Sequence, residues 1–451
     1  MSKYKLKLST TQIIMLSFLA AILIGSLLLS LPVSSADGRG VKYIDALFTA
    51  TTATCVTGLV TVTTASAWST FGQAVILILI QVGGLGIITV MSGLMILLNR
   101  KMGIGDRLLI QDAFNLNTLS GLARFIKKVL LGTFVIELFG ACLYMTVFVP
   151  EFGPRGVWIS IFNSVSAFCN AGIDIIGENS LCDYATNPII NLTTSLLIIL
   201  GGIGYVVWWD VIRVLGRPTK NLRQLFSKLT LHSKIAIVIT LVLIFAGGGL
   251  IFVFEYNNPE TLGGYSLFDK IQIALFQSVT TRTAGFASIP QQNLTDSSAI
   301  VSMFLMLVGG SPVGTAGGIK TVTIAVLVAS AVATVRGSEQ VTLFNRTVSK
   351  AAVEKSATVS TIFVGITLLS ALLLSLVHDA PLVDIFYETV SATATVGLTR
   401  GITPFLNDLG KAIVIFTMYL GRVGPISLAL ALSGGRKQNL IKNPTEDISV
   451  G

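Results

Sequence analysis

The sequence predicts an all-α multi-pass membrane protein. Four tandem helix–loop–helix repeats, with eight transmembrane helices in all, are arranged pseudo-fourfold around one central axis. Three observations carry this: an apolar composition, a succession of apolar runs long enough to span a bilayer, and a short motif that recurs between them at a nearly fixed period.

Of 451 residues, 52% are hydrophobic and 12% charged, and the mean hydropathy is +0.80. That charged fraction is about half that of ordinary soluble domains. A bilayer-spanning helix needs about 20 predominantly apolar residues. Candidates occur at roughly 12–31, 73–98, 129–149, 189–212, 235–254, 299–335, 357–377 and 411–433. The sixth is too long for one simple span. Lys3, Lys5 and Lys7 precede the first run, and no convincing small-residue cleavage site follows it. It therefore reads as the first membrane helix and not as a signal peptide.

The net charge of +9 does not point to nucleic acid, because the charges are segregated. With a cytosolic N-terminus, Arg100, Lys101, Arg107, Arg124, Lys127, Lys128, Arg213, Arg217, Lys220, Arg223, Lys228, Arg336, Arg346, Lys350 and Lys355 fall in cytosolic segments. Asp45, Glu151, Asp174, Glu178, Asp183, Glu255, Glu260, Asp269, Asp296, Asp384, Glu388 and Asp408 fall outside. Basic residues in short cytosolic loops set membrane orientation, so both termini are expected in the cytosol. The outer acids would concentrate cations near an entrance. Of the cysteines, Cys142 lies in an apolar helix, Cys55 and Cys169 lie in the motifs below, and Cys182 reads as exposed, so no disulfide framework is expected.

The recurring motif reads LFTATTATCVTGL (47–59), IFNSVSAFCNAGI (161–173), LFQSVTTRTAGF (275–286) and FYETVSATATVGL (386–398). Each copy opens on an aromatic pair or an aliphatic–aromatic pair, runs through small and hydroxyl residues and ends in Gly plus a large apolar residue. The glycines, Gly58, Gly172, Gly285 and Gly397, are spaced 172−58 = 114, 285−172 = 113 and 397−285 = 112. The chain divides into repeats at 1–122, 123–230, 231–350 and 351–433, followed by a tail at 434–451. Tight packing of small-residue helices would explain scattered Gly and Ala, but not this register.

These loops are too short and polar to cross a membrane. Irregular backbone at membrane depth survives only where it is buried in protein or faces a water-filled cavity. Four loops that aim their carbonyls at a common axis meet that condition. Backbone carbonyls replace the hydration shell of potassium in channel filters, and glycine reaches the backbone conformations this needs. The short helices at about 44–53, 158–168, 271–280 and 383–393 would turn their negative C-terminal ends toward the axis and favour a cation. The expected carbonyl donors are Val56-Thr57-Gly58, Asn170-Ala171-Gly172, Thr283-Ala284-Gly285 and Thr395-Val396-Gly397. The last is close to the first part of the TVGYG filter of potassium channels. Arg282, inside the third loop, is expected to point away from the axis and hold the loop through hydrogen bonds or an acid. Asp174 and Glu388 read as outer-surface acids.

The second helix of every repeat carries a glycine cluster: Gly83-Gly84-Leu85-Gly86, Gly201-Gly202-Ile203-Gly204, Gly309-Gly310-Ser311-Pro312 and Gly421-Arg422-Val423-Gly424. Arg422 stands in the register of Gly84, Gly202 and Gly310, about 15–18 Å into the bilayer. An arginine at that depth is a functional candidate, and an electrostatic barrier to cations is the expectation. A buried ion pair, with Glu137 as an available acid, is the alternative. In the long sixth run, Gly309, Gly310, Ser311, Pro312, Val313, Gly314, Thr315, Ala316, Gly317 and Gly318 cannot sustain a helix. Lys320 follows directly. An unwound mid-membrane loop that touches Arg422 and gates the pathway is expected. A static ligand-binding break, as in transporters with discontinuous helices, is the alternative.

With these residues in view, the chain resembles the Trk/Ktr/HKT superfamily of potassium transporters over nearly its whole length. Short tails and the absence of extra N-terminal helices make it most similar to the KtrB-type membrane subunit of bacterial Ktr uptake systems. The resemblance implies a plasma-membrane, potassium-selective pore, since a serine in the first loop would instead point to sodium. It also implies a homodimer with one pore per protomer, a cytosolic ring of nucleotide-binding, RCK-type regulatory subunits, and uptake often stimulated by sodium. No Rossmann or P-loop motif occurs in the chain, so any nucleotide would sit on the partner, and no cofactor is expected in this chain. The basic segments 99–128, 213–234 and 336–355 are candidates for docking that partner, and the polar tail 434–451 for the dimer contact.

A sodium-coupled secondary transporter of another solute is the chief rival, but a fourfold period fits the usual pseudo-symmetric halves poorly. A membrane enzyme is disfavoured, because His232 and His378, the only histidines, sit near helix ends outside any nucleophile or metal constellation.

Overall fold

The computed structural model describes residues 9–98, 103, 121–216 and 221–424. Its principal helices are α1 (Thr10–Leu29), α2 (Tyr43–Cys55), α3 (Thr70–Leu85), α4 (Ile87–Leu97), α5 (Leu122–Phe152), α6 (Pro154–Cys169), α7 (Pro188–Gly202), α8 (Tyr205–Leu215), α9 (Leu231–Glu255), α10 (Leu267–Thr280), α11 (Asp296–Leu307), α12 (Thr321–Val335), α13 (Lys350–Val377), α14 (Leu382–Ala394) and α15 (Asp408–Val423). Strand structure among the described residues is confined to a two-residue ladder, Thr342–Leu343 against Arg346–Thr347.

The helices start where side chains can satisfy their first free amides. Ser9 and Gln12 close a capping box on α1. Ser69, Asn187, Thr230, Ser266, Thr295, Ser349 and Asn407 cap α3, α7, α9, α10, α11, α13 and α15. Between α5 and α6 the chain turns at Gly153, whose φ of 60° and ψ of −138° suit glycine, and Pro154 then opens the next helix.

Each repeat is an outer helix (α1, α5, α9, α13), a short pore-directed helix (α2, α6, α10, α14) and an inner helix. Within every repeat the outer helix packs on the short helix. Each inner helix also packs on the short helix of the next repeat: α3 on α6, α7 on α10, α11 on α14, and α15 back on α2. That last contact closes the circle. It is fastened by Lys411 of α15, whose Nζ lies 2.6 Å from Asp45 Oδ1 of α2, with both side chains buried.

The outer helices α1, α5, α9 and α13 are each long and apolar enough to cross a membrane alone. Their outward residues, such as Leu131, Phe134, Phe245, Val253, Leu372 and Leu376, are exposed, as a lipid-facing surface requires.

The inner helices depart from the sequence reading. Only the sixth run was expected to be interrupted, but α3 and α4 meet at 98° and α7 and α8 at 97°. The breaks fall at Gly86 (φ 82°) and Gly204 (φ 94°), and Gly424 ends α15 in the same conformation (φ 90°). A left-handed φ ends a helix, and glycine adopts it without penalty. The continuation of the eighth run beyond 424 and the tail 434–451 lie outside the described residues, as does most of the basic segment 99–128.

Candidate functional site

The four motif glycines meet at the centre. A Cβ placed on Gly58 would stand 2.5 Å from the Ala171 carbonyl oxygen, and one on Gly172 would stand 2.5 Å from that of Ala284. One on Gly285 or Gly397 would fall closer still to the carbonyl oxygens of Val396 and Thr57. The loops therefore form a closed ring in the order first, second, third, fourth, first. Any side chain on a ring glycine would collide with the carbonyl of the next loop.

The backbone alternates in hand through every loop. Val56, Asn170, Thr283 and Thr395 have φ of 56°, 60°, 68° and 52°, and the ring glycines have φ of 100°, 64°, 85° and 100°. The residue between them keeps an ordinary negative φ in each loop. Alternation of left- and right-handed residues turns successive carbonyls to one side, which a regular strand or helix cannot do. Left-handed Val and Thr each cost about 1–2 kcal/mol, and only the surrounding structure can hold them there.

Part of that hold comes from hydroxyls on the short helices, which the sequence reading did not single out. Thr52 Oγ1 accepts from Gly58 N at 2.9 Å, Ser166 Oγ from Ile173 N at 3.2 Å and Ser391 Oγ from Gly397 N at 3.0 Å. In the third repeat the direction reverses, and Thr280 Oγ1 donates to Phe286 O at 2.7 Å. The visible signal was a Ser or Thr five or six residues before each glycine (58−52 = 6, 172−166 = 6, 285−280 = 5, 397−391 = 6).

Glu388 is a correction. It was read as an outer-surface acid, yet it is fully buried on α14. It accepts from Thr399 Oγ1 at 2.6 Å and from Thr403 Oγ1, straps on the chain that leaves the fourth loop. Asp174 borders a 150 Å³ mouth lined by all four ring glycines, Glu178 and Thr399. Burial there pushes its carboxyl above the usual carboxylate range, against the hydrogen bonds from Ser180 and from the Ile176 and Gly177 amides. Cys182 is half-buried, and its thiol lies 3.5 Å from Ala287 O.

The inner-helix glycines answer a packing demand. Gly83, Gly201 and Gly421 press against the carbonyls of Thr54, Phe168 and Thr393, each four residues before a ring glycine. Gly309 instead meets Gly317 of its own loop.

That loop, 309–318, lies across the helical side of the ring. Its base is a short parallel bridge between Val308 and Ile319, with Gly309 N donating to Ile319 O at 3.0 Å. Ser311 N and Thr315 N donate to Gly202 O and Gly201 O at 2.8 and 3.1 Å, and Tyr205 N donates to Val313 O at 3.0 Å. The break in the second repeat thus supplies the carbonyls and amide that seat the loop. Val313 is itself left-handed, with φ of 64°. Lys320 Nζ donates to Ala316 O at 2.6 Å. Arg422 donates from Nη1 to Thr315 O at 2.7 Å and from Nη2 to Gly83 O at 2.6 Å.

Arg422 therefore joins the loop to the open C-terminal end of α3, where helix carbonyls lack amide partners. Glu137, the acid considered for Arg422, accepts from Gln81 Nε2 at 3.2 Å instead. A 340 Å³ cavity on this side is lined by Gly83, Gly84, Val313, Gly314, Lys320 and Arg422. Arg282 points away from the ring, and its Nη2 reaches Thr240 Oγ1 and Gly309 O, each at 3.3 Å.

Residues 2–439 match the TrkH family, described as cation transport protein. The chain belongs to the TrkH family. Among its TrkH-family relatives, Ktr system potassium uptake protein B of Bacillus subtilis is 37% identical over 441 residues, covering 98% of this chain and 96% of that protein. The potassium/sodium uptake protein NtpJ of Enterococcus hirae is 37% identical over 452 residues, covering 99% and 98%. The crystal structure of the potassium transporter TrkH from Vibrio parahaemolyticus shares the fold with a TM-score of 0.76 at 18% identity, over 96% of this chain and 86% of that one. A TrkH-family member is a membrane cation transporter and not a member of an enzyme family.

Proposed function

We propose that this chain is the potassium-translocating membrane subunit of a Ktr-type uptake system. The observation that carries the proposal is the closed ring of Gly58, Gly172, Gly285 and Gly397, reached in each loop through a left-handed residue that aligns the carbonyls. Carbonyl oxygens in that arrangement suit a dehydrated monovalent cation. The names of the relatives, potassium uptake protein B and potassium/sodium uptake protein, support potassium as the cargo and leave sodium as a second cation of interest.

In this reading Val56-Thr57-Gly58, Asn170-Ala171-Gly172, Thr283-Ala284-Gly285 and Thr395-Val396-Gly397 are the selectivity filter. Loop 309–318, Lys320 and Arg422 are the gate. The half-buried guanidinium of Arg422 and ammonium of Lys320 border the cavity just past the ring, where a cation must pass, and Coulomb repulsion at a few ångströms is worth several kcal/mol even at an effective dielectric of about 20. Both termini face the cytosol, following the basic segments, and the acids around Asp174 mark the outer mouth.

The chain acts as a homodimer beneath which a nucleotide-binding ring docks. Phe344, in the turn of the 336–355 segment, stacks edge-on against Phe226 at 6.0 Å. Two of the basic docking candidates thus touch through this ring pair.

The test is cation flux into liposomes, comparing potassium, rubidium and sodium with and without the cytosolic ring. Potassium and rubidium should pass and sodium should be rejected. Gly58→Ser should erode that preference. Potassium-independent binding of an organic solute would favour a coupled transporter instead.

A further inference from the structure

The lipid-facing stripe of α5 does not stay apolar to its end. Leu131, Phe134 and Leu138 are exposed along one face. Counting back at helical spacing, the same face carries Lys128 and Lys127 (131−128 = 3, 131−127 = 4) and then Arg124 (128−124 = 4). All three bases are exposed. Lys128 stands 150−128 = 22 residues from Pro150, near the other end of α5. That is about 33 Å of helix, against roughly 30 Å for the hydrocarbon core of a bilayer. The change from apolar to basic therefore falls at headgroup level, on the side assigned to the cytosol, and it faces sideways into lipid.

A second element completes this corner. α8 leaves the inner helix α7 at 97° and so runs crosswise to it, with Ile212 and Leu215 exposed. A helix that mixes exposed apolar, aromatic and basic residues suits a membrane interface. Its Trp209 lies under Lys128, whose Nζ is 5.1 Å from the ring centroid. A Cβ on Gly132 would meet Trp208 at 3.4 Å and Trp209 at 3.8 Å. Arg213 follows Trp209 by one turn, with its side chain half exposed.

The corner gathers positive charge that nothing balances. Among the described residues, no carboxylate pairs with Arg124, Lys127 or Lys128. Asp210, the acid of α8, is buried and engaged by Arg213 and by Thr230 N and Oγ1, each of the latter at 2.8 Å. α5 also begins here, at Gly121, with no side-chain cap and no acid in its first turn. The positive end of the helix dipole thus adds to the bases, an arrangement that is unfavourable alone and favourable around an anion.

We propose that Arg124, Lys127, Lys128, Trp209 and Arg213 form a site for the phosphate headgroup of an anionic phospholipid in the cytosol-facing leaflet. The bases hold the phosphate, and the acyl chains run along Leu131, Phe134 and Leu138. The lipid bridges α5 to α8 and so fixes the corner that follows the bend at Gly204. The direction of the bases favours lipid over the cytosolic ring, because they continue a face that already meets acyl chains. The inference goes beyond the transport reading and depends on it only for the side of the membrane.

The test is quenching of Trp209 in full-length protein, reconstituted into phosphatidylcholine bilayers without the ring. Brominated phosphatidylglycerol or brominated phosphatidylcholine is added at equal mole fraction, and the Trp209 signal is taken by difference from Trp209→Phe. Phosphatidylglycerol should quench at the lower mole fraction. A base near an anionic leaflet is worth about fivefold in binding, so Lys127→Gln should raise the half-quenching mole fraction about fivefold and Arg124→Gln/Lys127→Gln/Lys128→Gln about a hundredfold. Quenching by phosphatidylcholine should not change. Arg346→Gln/Lys350→Gln/Lys355→Gln removes the same charge elsewhere and should keep the parent's preference, and excess inorganic phosphate should leave it intact.

Equal quenching by the two lipids in the parent overturns the site. A loss of preference shared by both triple variants does the same, because it marks general surface charge. Displacement by inorganic phosphate assigns the corner to free anions, and relief of quenching by the purified ring assigns it to the ring; either result removes the lipid. The single Lys127→Gln variant carries the decision if the triple variant is not monodisperse.

Discussion

Replacing Arg422 with Gln tests the proposed gate apart from the rest of the pathway. The guanidinium makes two short charge-assisted contacts, to Thr315 O at 2.7 Å and Gly83 O at 2.6 Å. Hydrogen bonds to charged groups contribute about 1.5–3 kcal/mol each. The shorter glutamine amide can keep at most one of them, in neutral form, so the closed arrangement should lose about 1.5–3 kcal/mol or somewhat more. At 1.4 kcal/mol per tenfold, that shifts closed against open by about 10- to 100-fold. Removal of the positive charge lowers the barrier to a cation in the same direction.

The assay is rubidium uptake by liposomes at matched protein content, with the oligomeric state checked by size exclusion. Flux without the cytosolic ring should rise toward the ringed, activated level. Arg422→Lys discriminates between the two contributions, because it keeps the charge but not the two-pronged reach between Thr315 and Gly83. An intermediate flux assigns the remainder to geometry. Unchanged or reduced flux in intact Arg422→Gln protein would refute the barrier.

Further outcomes follow from the same contacts. Gly421→Ala puts a methyl onto the Thr393 carbonyl and should lower the yield of folded protein, whereas Gly249→Ala, with open space around its Cβ position, should leave yield unchanged. Lys411→Met strands Asp45 in the seam between the last and first repeats, at a cost of about 3–5 kcal/mol for a broken buried pair. A lowered melting temperature that is largely recovered by adding Asp45→Asn would show the pair at work, and a wild-type melting curve for Lys411→Met would count against it. Glu388→Ala frees Thr399 and Thr403 just beyond Gly397 and should reduce potassium-over-sodium selectivity by about tenfold while total flux persists; unchanged selectivity would assign Glu388 to folding alone.

Much of the architecture was legible because lipid imposes two simple rules, apolar length and internally satisfied backbone. The glycine spacing of 112–114 residues then placed the four loops in register. What stayed hidden depended on contacts between repeats. No window of sequence shows that Gly83 and Gly421 are small in order to reach Thr54 and Thr393, or that Gly86 and Gly204 bend their helices through nearly a right angle. Apolar residues continue on both sides of those bends, so the hydropathy pattern does not register them. Glu388 was misread because an acid after an aromatic near a loop looks like a surface residue. Only the fold returns Thr399 and Thr403 over it. Thr52, Ser166 and Ser391 vanished into a background of hydroxyl residues that all look alike until one of them meets an amide.

The ring of glycines also has a handedness. Each glycine's empty side-chain position faces the carbonyl of the following loop, 58 toward 171, 172 toward 284, 285 toward 396 and 397 toward 57, always in the same rotational sense. Damage at one loop is therefore delivered to its downstream neighbour and not to itself. A methyl at Gly58 displaces the Ala171 carbonyl of the second repeat, while the first repeat's own Thr57 carbonyl is reached only by a methyl on Gly397 of the fourth. In a pore made of identical subunits such a defect would strike every position at once. Here four unequal repeats let a lesion be introduced at one address and read out at the next, so the chain is its own circuit for following strain around the glycine ring.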